Sequence, residues 1–98
     1  MDKEQVISKL IAYRALLTQY FEIDKMVLFG SYAKGIQRDD SDIDVAIFVN
    51  SFNSNKIEPS FLWSLRRKID SRIEPILIEN NHDPSGFGEE ILKYGLTI

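Results

Sequence analysis

Residues 42–49 read Asp-Ile-Asp-Val-Ala-Ile-Phe-Val, and no other stretch limits the fold so tightly. Side chains alternate across a strand, so Ile43, Val45, Ile47 and Val49 face one way and Asp42, Asp44, Ala46 and Phe48 the other. Two carboxylates then share one face at the mouth of an apolar strand, a costly placement without cationic company. An acidic turn over Asp39–Asp42 would explain the first acid but not Asp44, which lies inside the strand. Period two brings both carboxylates close enough to share a divalent ion. Hard oxygen ligands suit Mg²⁺, which keeps some waters and takes its other ligands from nucleotide phosphates.

Upstream, the apolar run Lys25–Phe29 stops at Gly30-Ser31. A glycine at the end of a strand lets an anion approach the backbone without a Cβ in the way, and the Ser31 hydroxyl adds a donor. Alone, such a pair most often marks an ordinary turn. Two better-known loops are excluded. Gly30 and Gly35 have the spacing of a P-loop, but Ile36 and Gln37 stand where Lys and Ser/Thr are required. Asp40, Asp42 and Asp44 open like an EF-hand loop, but Val45 takes its glycine position and Ser51 its bidentate Glu position. A third acid, Glu74, lies in the run Ile73–Ile78. It faces the two aspartates if this strand pairs beside residues 42–49. Otherwise it points to solvent at a strand start, the reading Pro75 supports.

The remaining chain reads as short alternating elements. Val6, Leu10, Tyr13, Leu17 and Tyr20 recur at helical spacing over residues 2–21, widened by Ile7 and Ile11, and Asp2 with Gln5 fits a capping box. Asn50–Asn55 is a polar loop, Pro59–Asp70 a second helix, and Asn80–Ser85 a turn. Gly88–Lys93 forms a brief helix closed by Gly95 as a left-handed cap. The order α-β-α-β-α-β-α-β predicts an α/β (α+β) domain, helices packed on a small sheet, with residues 1–98 as a single domain. With 12 Lys and Arg against 15 Asp and Glu, a stable nucleic-acid complex is disfavoured. There is no cysteine, no apolar run near the ~20 residues of a membrane span, and no secretion-type leader. A cytoplasmic location is expected.

Together these pieces resemble a known family. Gly30-Ser31, ten intervening residues and Asp42-Ile43-Asp44 match the G-S-x10-D-x-D signature of nucleotidyltransferases of the DNA polymerase β superfamily. The small size, the wording Ser41-Asp-Ile-Asp-Val-Ala-Ile47 and the closing Gly95-Leu96 resemble its minimal branch, stand-alone domains often paired with a HEPN-domain protein as antitoxin and toxin. The resemblance implies the polymerase β-like fold, a small mixed sheet with helices against it. It also implies ATP as substrate and two Mg²⁺ ions. Gly30 and Ser31 would hold the triphosphate, Asp42 and Asp44 would bind the metal, and Glu74 would stand for a third carboxylate that is commonly Asp in the family. The implied reaction moves AMP to a hydroxyl, in minimal members a tyrosine of the HEPN partner. A non-catalytic antitoxin acting by contact, and a small-molecule transferase of the antibiotic-modifying type completed by a partner subunit, are the alternatives. So small a domain offers half a cleft, which favours a homo- or hetero-oligomer.

Other polar and aromatic residues carry less. Lys34 and Arg38 flank the glycine turn and read as solvated charges, as do Arg66, Arg67 and Lys68 on the second helix. His82 has nothing nearby to orient it and reads as a surface loop residue. Trp63, Tyr13 and Tyr20 read as core or interface.

Overall fold

In a computed structural model, which describes residues 1–50, 58–80, 82 and 85–98, the strand that carries Asp44 runs from Ile43 to Val49. Its two faces divide as the alternation predicts. Ile43, Val45, Ile47 and Val49 enter one core, with Val6, Leu10, Tyr13, Leu17, Leu62 and Ile73. Ala46 and Phe48 enter a second, smaller core with Val27, Ile78 and Ile91.

The described elements, in chain order, are α1 (Lys3–Leu17), β1 (Lys25–Phe29), α2 (Gly30–Lys34), β2 (Ile43–Val49), α3 (Pro59–Arg66), β3 (Ile73–Glu79), α4 (Phe87–Tyr94) and β4 (Leu96–Thr97). The strands form a mixed sheet in the order β3-β2-β1-β4. Strand β1 is antiparallel to both β2 and β4, whereas β2 and β3 are parallel. Parallel neighbours need a long crossover, and α3 lies within it. The result is the mixed α/β architecture expected from the order of elements.

Helix α1 begins at the predicted capping box: the Gln5 amide donates to Asp2 Oδ1 at 2.8 Å, and Gln5 Oε1 accepts from the Asp2 amide at 2.9 Å. It buries Val6, Leu10, Tyr13 and Leu17. It stops four residues short of the predicted end, because the Thr18 hydroxyl turns back onto the Ala15 carbonyl and the following turn folds Phe21 inward. Tyr20 is therefore half exposed and meets Phe61 edge-on, and Ile11 lies outside the buried stripe at 57% exposure. The Tyr13 hydroxyl donates to the Leu62 carbonyl at 2.7 Å, tying α1 to α3, and burial pushes its phenol above the ordinary value.

Helix α3 starts at Pro59, whose missing amide costs nothing in a first turn. It ends at Arg66 rather than Asp70, since the Arg66 carbonyl accepts from both Ile69 and Asp70 and tightens the chain toward β3. Asp70 accepts from Lys9 Nζ at 2.7 Å and from the Arg72 backbone and side chain, so it joins α1 to the strand entry. Gly95 is a correction to the sequence reading: its backbone is extended (φ −84°, ψ 173°). A side chain there would strike Val27 and come within 2.6 Å of the Ile91 carbonyl. Close approach, not handedness, requires this glycine. The left-handed cap belongs to Gly35 (φ 74°), which closes α2. Most of the predicted 50–55 loop lies outside the described residues, as does part of the 80–85 turn. His82 is exposed there, as expected.

Candidate active site

The sheet register sets three residues side by side. Phe29 pairs with Asp44 across β1 and β2, and Asp44 pairs with Glu74 across β2 and β3. All three point to the face covered by α4, opposite the larger core, with Asp42 just outside the strand and exposed. The open question about Glu74 is thus resolved by register: it stands next to Asp44, and near enough to Asp42 to feel its charge. Pro75, which allowed the other reading, is buried on the opposite face of an edge strand.

Gly30 ends β1 beside this row. Its φ of 71° is open only to glycine at low cost, and a Cβ on it would overlap Asp44 Oδ2. The Asp44 carboxylate therefore rests against the bare Cα of the glycine turn. Ser31 follows, half-buried, in the first turn of α2. The turn from Arg38 to Ser41, where the Ser41 hydroxyl accepts from the Arg38 amide at 2.7 Å, leads back into β2. Lys34 and Arg38 are exposed, as expected. A cavity of about 430 Å³ opens at Gly30, walled also by Phe29, Ala33, Phe87, Ile91 and Tyr94. Phe29 and Phe87 meet there edge to face, 5.8 Å between centroids.

The electrostatics of the row are those of crowded anions. Burial raises the proton affinity of Asp44, and the Asp42 charge adds to it. Burial likewise raises that of Glu74, followed by the charges of Asp42 and Asp44 and the hydrogen bond with Asp42, while Arg66 pulls the other way. A field that holds protons also attracts a divalent cation, and the donors are all hard carboxylate oxygens. The set fits Mg²⁺ in its chemistry. Among the described residues no three acids already converge as a finished cage.

Arg66 is the residue the sequence reading misplaced. Its neighbours Arg67 and Lys68 are exposed, but Arg66 is half-buried, lies 4.3 Å over the Trp63 ring and donates to the Ile73 carbonyl at 2.7 Å. The i, i+3 spacing of Trp63 and Arg66 was the available signal.

With this geometry in view, the relatives can be placed. The family model described as polymerase beta, nucleotidyltransferase matches residues 12–98. The chain belongs to this family. A Methanocaldococcus jannaschii protein, provisionally named a protein adenylyltransferase, is 32% identical over 80 residues, 79% of this chain and 80% of the relative. The crystal structure of a provisionally assigned nucleotidyltransferase from Sulfolobus solfataricus has the same fold, with a TM-score of 0.66 at 17% identity over 97% of this chain and 80% of that one. As a nucleotidyltransferase of this family, the chain has the fold its glycine-serine and paired-aspartate spacing implied.

Proposed function

We propose that this protein transfers AMP from ATP to a hydroxyl group, with Mg²⁺ held by Asp42, Asp44 and Glu74. The observation that carries the reading is the row Asp44–Glu74, with Asp42 at its end, set against the glycine turn at Gly30. In the reaction the acceptor oxygen bonds to the α-phosphorus, and the bond from that phosphorus to the oxygen bridging to the β-phosphate breaks. Pyrophosphate leaves with the electron pair. Gly30 and Ser31 hold the tail of the triphosphate, the Ser31 hydroxyl and the turn amides donating to it. Glu74 orients the acceptor hydroxyl and takes its proton, a task suited to a carboxylate whose proton affinity is raised. Bound Mg²⁺ supplies charge neutralisation at the α-phosphate and leaving group.

The acceptor we propose is a tyrosine on a HEPN-domain toxin, making this chain, a single cytoplasmic domain, the antitoxin of a pair. The name of the M. jannaschii relative, a protein adenylyltransferase, supports a protein acceptor. A second reading, a contact-only antitoxin, has one observation in its favour: Glu74 has a longer arm than the Asp common in the family and is followed by Pro75. Label transfer separates the two. Full-length protein with Mg²⁺ and α-labelled ATP in host lysate is expected to label a protein band, and Asp44→Asn to leave it unlabelled. Label in both would sink the assignment. Label on small molecules alone would favour the antibiotic-type activity, and none with the partner present the contact-only antitoxin.

A further inference from the structure

We propose that Arg66 is a positioning residue for Glu74, fixing the backbone from which that carboxylate extends. The inference deepens the proposed transfer site and rests on Glu74 belonging to it. Its basis is geometric. The Ile73 carbonyl that accepts from Arg66 Nη1 at 2.7 Å is part of the same planar peptide unit as the Glu74 nitrogen. Holding that oxygen holds the plane. The Ile73 amide, on the same outer side of β3, donates to the Asp70 carbonyl at 3.2 Å, so both free-edge groups of Ile73 are occupied. On the inner side Glu74 is registered against Asp44. After it comes Pro75, which confines Glu74 to extended backbone. Glu74 is thus pinned before, beside and after.

The guanidinium is itself held. It lies 4.3 Å over the Trp63 ring, and it comes from the last turn of α3, one element away from the row of acids. Its Nε is buried and finds no hydrogen-bond partner among the described residues.

The arrangement gives a reason for the Glu-Pro departure from the family pattern. A glutamate has one more rotatable bond than an aspartate, so its carboxylate is less well placed by its Cα alone. A stiffened backbone restores part of that placement, and misplacement by about an ångström costs on the order of a hundredfold in rate.

The test uses the full chain and Arg66→Gln and Arg66→Lys, each with Glu74 intact and with Glu74→Gln. Backbone amide exchange, read without nucleotide, is expected to speed up about tenfold at Ile73 and Glu74 in Arg66→Gln, and to stay within about twofold at Val45 and Ile47. Label transfer is expected to lose roughly tenfold to a hundredfold in kcat at unchanged KM for ATP. Arg66→Lys keeps the charge but loses the planar fork, and should recover little of either. With Glu74→Gln, the change at Arg66 should add no further loss. Unaltered exchange at Ile73 and Glu74, full recovery by lysine, or an undiminished loss on top of Glu74→Gln would each overturn the proposal. Should Arg66→Gln not fold, Arg66→Lys carries the same exchange expectation. Wild type that transfers nothing would overturn the active-site reading, while exchange would still decide whether Arg66 holds Glu74.

Discussion

At Gly30 two requirements coincide. The chain must turn through positive φ to enter α2, and the Asp44 carboxylate must lie where a Cβ would be. Gly30→Ala is therefore expected to cost about 1–3 kcal/mol in denaturant melts and to displace Asp44, abolishing label transfer even where the protein remains folded. Asp44 predicts the opposite for stability. A carboxyl that holds its proton more tightly when folded adds stability below the ordinary carboxylate range and loses it as pH rises through its folded value. Without divalent ions, Asp44→Asn should thus melt at or above wild type at pH 7, the difference fading below about pH 4. A mutant clearly less stable at pH 7 would show that Asp44 has a structural partner. The acids were legible because a strand allows only two faces. The contact of Arg66 with the Ile73 carbonyl and the close approach at Gly95 were not, since they depend on which element lies alongside. A basic run on a helix reads as solvated until a strand carbonyl and a ring are seen beside it.

At the scale of elements, the weak points of the sequence reading were the ends. The apolar stripe located α1 and α3 but not where each helix stops, which is decided by hydrogen bonds of Thr18 and by the double acceptor at the Arg66 carbonyl. The strands themselves followed from pattern more closely, because a slip by one residue would have turned Ile43 and Val45 out of the core. Whether β3 lies beside β2 was left open by the pattern and is decided by the register. The contact between α1 and the entry to β3 was not foreseeable, since Lys9 and Asp70 are sixty-one residues apart. Burial works against the Asp70 charge, but hydrogen bonds from Lys9 and Arg72 outweigh it and hold the carboxyl down at about 2. Its contribution is present above the ordinary carboxylate range and is lost as pH falls through about 2. Asp70→Asn should cost about 1–3 kcal/mol in chemical denaturation at pH 7 and progressively less in strong acid.

Across the whole molecule, the two faces of the sheet are unequal. One is covered by α1 and α3 over a continuous core, the other by α4, which places Ile91 and little else on it. Phe87, Leu92, Tyr94 and Leu96 remain substantially exposed on α4 and β4. Among the described residues no helix is long and apolar enough to cross a membrane. The thinly covered face is also the one on which Asp44 and Glu74 lie. The strand that carries Asp44 serves two masters by parity: Ile43, Val45, Ile47 and Val49 enter the larger core, while Asp44 projects from the other side, where burial opposes its charge. A lineage that stopped using the chemistry would meet no folding penalty in discarding that acid. Only continued use would keep it.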